Sequence, residues 1–149
     1  KDVLVIDRII EIHEKIPECH LVMHGSSSIP QELLQQINMY GGKIRPTWGV
    51  PVEEIQKALK AGVRKVNVDT DIRLACTGAI REFFVKQPEE FDPRGYLSLA
   101  RTSIKDLCKA RMKAFGQAGM AKKVPYVTLD EMAKRYKEGM YGEFAKPLF

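Results

Sequence analysis

The pattern of this chain predicts an α/β fold built on a parallel sheet, and three observations carry that prediction. Two short apolar runs with strand character, residues 19–23 and 63–68, stand roughly forty residues apart, with helical stretches before, between and after them. Each run opens into a polar turn and then a helix: Leu21-Val-Met-His-Gly-Ser-Ser-Ser28 and Lys65-Val-Asn-Val-Asp-Thr-Asp71. Two strands alone do not make a stable parallel sheet buried on both faces. The chain starts at Lys1 directly in front of a helix, so the expectation is a piece of a longer polypeptide with further strands upstream.

Taken in order, Ile6, Ile9, Ile10, His13 and Ile16 share one helical face, and Pro17 ends the run, which predicts a helix over residues 3–16. Residues 19–23 are short, apolar and bounded by turns, as a buried strand is. Ser28 is placed as an N-cap, with Pro30 in the first turn and Gln31 completing a capping box. Leu33, Leu34 and Ile37 mark that helix, which stops at Gly41-Gly42, where a left-handed backbone costs little. Residues 45–51 read as a loop. Pro51 starts a helix carrying Val52, Ile55, Ala58 and Leu59, closed by Gly62.

The second strand covers residues 63–68. Asp69, Thr70 or Asp71 caps a long helix bearing Ile72, Ala75, Ala79, Phe83 and Phe84. A turn around Pro88 and Pro93 leads to a further long helix over about residues 96–115. Residues 116–125 form a loop, and Thr128-Leu-Asp-Glu131 is a second capping box opening a last helix to about residue 138. The tail to Phe149 has little periodicity and reads as extended.

Composition narrows the class. Apolar residues make up 44% and charged ones 29%, the balance of an ordinary globular protein. No apolar run reaches the roughly 18 residues of a membrane span, and no secretion signal opens the chain. The three cysteines, Cys19, Cys76 and Cys108, are widely spaced, with no C-x-x-C pair. They read as reduced thiols in a cytoplasmic protein. Cys76 and Cys108 fall on apolar helix faces and read as core. The net charge of +5 arises from basic residues mixed with acidic ones along helix faces. Nucleic acid and membrane are therefore not expected partners, whereas a modest positive field favours anionic metabolites.

The two strand-end turns hold the residues suited to chemistry. His24 ends a buried strand and opens a glycine–serine turn. A neutral imidazole there suits Zn²⁺, and equally suits a hydrogen bond to backbone. His13 and His20 have no such setting and read as surface or packing residues. Gly25, Ser26 and Ser27 bring N–H groups and hydroxyls just ahead of a helix N-terminus, a place for an anion. A serine-rich turn with a cap is the plainer reading. Asn67 and Asp69 alternate with Val66 and Val68 and so share one strand face. Asp71 reads as a structural cap. Ala100, Ile104, Leu107, Arg111 and Phe115 step by four, three, four and four, which puts Arg111 on the buried stripe of its helix. A guanidinium there needs an anionic partner, whether a protein carboxylate or a ligand phosphate.

With their spacing, these motifs resemble the class II fructose-bisphosphate aldolases. Leu21-Val-Met-His-Gly-Ser-Ser-Ser28 and Asn67-Val-Asp-Thr-Asp71 match best, and the likeness extends to Tyr40-Gly-Gly42, Trp48-Gly-Val-Pro-Val-Glu-Glu-Ile55, Thr77-Gly-Ala-Ile-Arg81 and Cys108-Lys-Ala-Arg111. The resemblance implies a (β/α)8 TIM barrel. Residues 1–149 would be a single segment from its C-terminal part, containing strands seven and eight, with a helical extension over about residues 93–149.

The implied activity is metal-dependent, reversible cleavage of fructose 1,6-bisphosphate to dihydroxyacetone phosphate and glyceraldehyde 3-phosphate, in glycolysis and gluconeogenesis. It implies His24 as a zinc ligand, with the other metal histidines and the acid/base carboxylates upstream, so that this segment alone is inactive. Substrate and phosphate contacts fall on Gly25, Ser26, Ser27, Asn67, Val68, Asp69, Thr70 and Arg111. Asp69 contributes its N–H or holds a monovalent cation. Arg111 reaches the distal phosphate in a neighbouring subunit of a dimer or tetramer. A Schiff base on Lys65 is disfavoured, because that side chain lies deeper in the barrel. Trp48 reads as packing or interface. The rival readings are a tagatose-bisphosphate aldolase, whose phosphate and metal sites would look the same, and a non-catalytic sugar-phosphate-binding or assembly protein.

Overall fold

The computed structural model describes residues 3–140, so the expected extended tail from 141 onward lies outside the described residues. The order is α1 (Ile6–Lys15), β1 (Leu21–Met23), α2 (Gln31–Met39), α3 (Val52–Lys60), β2 (Val63–Val66), α4 (Thr70–Lys86) and α5 (Pro93–Ala114). A short 3-10 turn (Ala121–Lys123) and α6 (Leu129–Lys137) follow. Two compact units result, residues up to 117 and those from 118 on. The first holds the sheet and α1 to α5. The second holds the 3-10 turn and α6, whose Thr128 Oγ1 accepts from the Glu131 N–H at 3.1 Å, one half of the expected capping box.

β1 and β2 pair in parallel, with Leu21 opposite Val63, Val22 opposite Lys65 and Met23 opposite Val66. Both strands are shorter than their apolar runs, and the register explains the first. β2 begins opposite Leu21, so Cys19 and His20 have nothing across from them. The Asn67 N–H donates to Met23 O at 3.0 Å and carries the ladder one residue past β2. The crossover runs through α2 and α3, as parallel pairing requires.

The core gathers where α2 lies against α4. Leu34, Ile37 and Leu74 are buried together, with Ile29, Leu33 and Ile44 packed on them. Ile55 and Ala58 are fully buried on the inner face of α3. Burying an aliphatic side chain of this size stabilises by about 1.5–3 kcal/mol, so these contacts set where α2, α3 and α4 stand. Gln56 Nε2 donates to Ala114 O at 2.9 Å, tying α3 to the end of α5. Gly62, at φ +122, admits the His13 ring where a Cβ would come within 2.6 Å of it.

One local expectation is corrected. Ser28 does not cap α2: Pro30 occupies the N-cap position, and no side chain caps it. The Ser28 N–H and hydroxyl instead donate to Asp71 Oδ2, at 3.2 and 2.8 Å. Bonds to an ionised carboxylate are stronger than a neutral cap, and they draw Ser28 away from the helix axis. Gln31 Nε2 reaches Ile29 O and Thr47 O, so the capping box does not form. At the other long helix, Asp92 is the N-cap and accepts from the Arg94 N–H at 2.9 Å, starting α5 at Pro93.

Candidate phosphate and metal site

The ends of β1 and β2 open side by side, and buried Ser26 joins them. Its Oγ donates to Asn67 O at 2.9 Å and to Met23 O at 3.2 Å. Gly25 precedes it at φ +62, a left-handed turn that a glycine makes at little cost. Ser27 comes next, and its Oγ accepts from the N–H groups of Asp69 (3.2 Å) and Thr70 (3.0 Å). Those two donors stand at the start of α4, where backbone N–H groups and the helix dipole favour negative charge. Ser26 and Ser27 thus tie the turn after β1 to residues 67, 69 and 70 after β2.

His24 lies exposed at the tip of β1. Its Nδ1 is 2.8 Å from Asn67 Nδ2, so the imidazole and the amide meet across the strand pair. Lys65 Nζ donates to Asn67 Oδ1, which occupies the lysine on the amide. Half-buried Val68 leads from Asn67 into the turn. The Asp69 carboxylate pairs with Arg73 Nε at 2.9 Å. Its N–H is the group bonded to the serine turn.

Two residues prove more central than the sequence suggested. Asp71 is completely buried. Rather than capping its own helix, it accepts from Ser28 and from the Ile29 N–H (2.8 Å), and from Arg111 Nη2 (3.0 Å) and Nε (3.3 Å). Burial alone would raise its carboxyl, but the hydrogen bonds from Ile29, Ser28 and Arg111 outweigh that and hold it below the usual aspartate value. The Arg111 side chain is 16% exposed and also donates to Ser28 Oγ. Of the partners its buried stripe called for, the structure shows a protein carboxylate within the same chain. The distal-phosphate role stands on the resemblance.

The other missed residue is Gly49. A Cβ there would sit 2.0 Å from Ser27 O and 2.8 Å from Ser28 C. The neighbouring Val50 N–H donates to Ser27 O at 3.1 Å, so the loop from Trp48 forms the floor under the serine turn. In the sequence it stands inside the Trp48–Ile55 stretch of the resemblance, with no role marked for it. Trp48 itself is 74% exposed, and Cys76 and Cys108 are half-buried.

Fold and site together define an α/β protein with a small parallel sheet and polar turns at adjacent strand ends. The family described as fructose-bisphosphate aldolase class-II matches residues 1–120. A fructose-bisphosphate aldolase of Xanthobacter flavus is 59% identical over 138 residues, covering 93% of this chain and 39% of that protein. One from Pseudomonas aeruginosa is 57% identical over the same shares. Another, from a Nostoc species, is 52% identical over 145 residues, covering 97% of this chain and 40% of its own. This chain belongs to the class-II fructose-bisphosphate aldolase family, and it spans about two fifths of the length of the curated relatives it matches.

Proposed function

We propose that the protein containing these residues catalyses the reversible aldol cleavage of fructose 1,6-bisphosphate, with β1 and β2 as strands seven and eight of a (β/α)8 barrel. The observation that carries this reading is the Ser27 hydroxyl held by the N–H groups of Asp69 and Thr70. It marks a cluster of donors at a helix N-terminus, and loops after strands seven and eight are the usual phosphate site of such barrels. Gly25, Ser26, Ser27, Val68, Asp69 and Thr70 then hold the phosphate of the dihydroxyacetone-phosphate half. Asp69 serves through its N–H, which a phosphate oxygen would take over from Ser27 Oγ, since its carboxylate is paired with Arg73. Asn67 presents its amide to the oxygens of the bound sugar. The names of the relatives favour the fructose substrate over its tagatose epimer.

His24 fits a metal ligand. It is an exposed imidazole at a strand tip; the facing Asn67 Nδ2 is a donor that takes the lone pair of Nδ1, and a metal bound there would replace that hydrogen bond. Which ring nitrogen carries the proton follows from the direction of that hydrogen bond. Among the described residues no three His, Cys, Asp or Glu side chains gather into a metal site. A catalytic zinc takes three protein ligands, so His24 is one donor of a set that the rest of the protein completes. Bound Zn²⁺ supplies Lewis-acid polarisation of the substrate carbonyl. A homo-oligomeric, cytoplasmic enzyme completes the reading; among the described residues no helix is long and apolar enough to cross a membrane.

The test is cleavage of fructose and tagatose 1,6-bisphosphates by the complete, zinc-loaded protein. Faster cleavage of the fructose epimer, abolished by chelation and restored by Zn²⁺, is expected. No cleavage of either sugar by protein with zinc bound overturns the proposal.

A further inference from the structure

We infer that Asp71 and Arg111 are positioning residues: a buried ion pair that holds the turn at Ser28 and Ile29, and through it the phosphate-binding residues 25–27, in shape. The inference rests on the phosphate site proposed above and adds residues that touch no substrate.

Ile29 is the starting observation. Among the described residues it is the single non-glycine with a positive φ, at +51. A β-branched side chain disfavours that conformation, and it persists only where surrounding contacts over-determine it. Those contacts come from one carboxylate. Asp71 Oδ1 takes the Ile29 N–H at 2.8 Å, and Oδ2 takes the Ser28 N–H and hydroxyl at 3.2 and 2.8 Å. Ile29 in turn packs on the core cluster of Leu34, Ile37 and Leu74, so the turn is pinned from both sides.

The same residue reaches the second half of the site. Asp71 lies one position after Thr70, whose N–H holds Ser27 Oγ. Its own backbone therefore sits in the helix turn that supplies the anion donors, while its carboxylate fixes the opposite turn. Any shift of Asp71 moves both. A fully buried carboxylate needs a cation, and Arg111 supplies one across from α5, bonding to Asp71 Oδ2 and to Ser28 Oγ. The planar guanidinium reaches both acceptors at once, which a lysine ammonium does not match in geometry. At Oδ2 every incoming group is a donor. Under Asp71→Asn, an amide nitrogen in that place would face the Ser28 N–H and the Arg111 guanidinium, both donors, and only the Ser28 hydroxyl could turn to accept from it.

The experiment compares wild type, Arg111→Met, Arg111→Lys, Asp71→Asn and Ser28→Ala in the complete protein. Three quantities are read: the affinity for inorganic phosphate by calorimetry, proton exchange on dihydroxyacetone phosphate alone, and cleavage of fructose 1,6-bisphosphate. Positioning predicts that Arg111→Met and Asp71→Asn weaken phosphate binding at least tenfold. It also predicts KM rising by similar factors in exchange and in cleavage, with kcat changing less than about threefold. Arg111→Lys should recover part of the loss. Ser28→Ala, which removes only the shared hydroxyl, should show a several-fold effect and keeps the test alive if the larger changes prevent folding. A loss confined to cleavage, with exchange and phosphate affinity intact, would assign Arg111 to the distal phosphate and overturn the proposal. Reduced stability with all three readouts unchanged would overturn it too. Wild type that binds phosphate but neither exchanges nor cleaves would sink the aldolase reading alone, and calorimetry then still decides this one. Wild type without phosphate affinity would sink both.

Discussion

Gly49 decides whether the serine turn has room to form. Both atoms nearest an added Cβ belong to the backbone of Ser27 and Ser28, so neither can swing aside. Gly49→Ala is expected to destabilise by about 1–3 kcal/mol, the usual cost of overpacking, and to weaken phosphate binding with it. Denaturant unfolding and calorimetry check the two effects; wild-type phosphate affinity would show that the turn does not rest on this loop. His24 presents the opposite case, an exposed ring bonded to Asn67. His24→Ala should alter stability by no more than about 0.5 kcal/mol while zinc content and turnover of the complete protein collapse. Stoichiometric zinc at normal turnover would remove His24 from the site. Asp71 carries a pH signature. Its folded pKa lies below the ordinary aspartate value of about 3.9, so its stabilisation is present above that value and is lost as pH falls through the lower, folded one. The stability gap between wild type and Asp71→Asn should therefore narrow from about pH 4 downward. A gap of equal size at pH 7 and pH 3 would show that the charged form is not what the turn depends on.

At the scale of elements, the join between α4 and α5 rests on aromatic packing. Buried Phe83 meets Phe84 edge-on with ring centroids 5.7 Å apart, and Tyr96 of α5 lies 6.2 Å from Phe83 and 5.0 Å from Phe84. Gly95 leaves space for the Phe83 ring, which would stand 3.2 Å from a Cβ placed there. Phe83→Ala should cost about 3–5 kcal/mol. Because α5 also carries Arg111, phosphate affinity should fall with it; urea unfolding followed at two phosphate concentrations reads both. These helices were legible in the sequence because their apolar positions recur at helical spacing, and Arg111 was legible as the one charge on such a stripe. The strand ends were not, since pairing register depends on the partner strand and not on local composition. Nor was the behaviour of Ser28. Serine before Pro30 and Gln31 carries every local sign of a cap, and what overrides it is a carboxylate 43 residues away. The left-handed Ile29 was invisible for the same reason, as no local preference of isoleucine produces it. The two polar turns that meet at the strand ends were thus readable from motif and spacing, while the framework behind them depended on contacts between distant segments.

For the molecule as a whole, the sheet and the proposed metal donor call for the same thing, residues beyond 1–149. A parallel pair of strands needs both faces and both edges covered, yet Val22, inside β1, is 45% exposed. His24 offers one imidazole where a catalytic zinc takes three protein ligands. The curated relatives it matches are longer, with this chain spanning about two fifths of their length. Residues 1–149 expressed alone are therefore expected to retain no stoichiometric zinc after dialysis and to show no cleavage of fructose 1,6-bisphosphate. A protein extended to the relatives' length should retain zinc and cleave the sugar. Phosphate affinity separates the two dependences. The donors at the start of α4 and their Ser27 partner lie within this chain, so weak anion binding should survive in the segment while metal binding does not. Elemental analysis, calorimetry with inorganic phosphate and a coupled cleavage assay on the segment supply the measurements. Turnover by the purified segment in Zn²⁺ would mean that one histidine and these loops suffice for the chemistry, against everything the donor count implies.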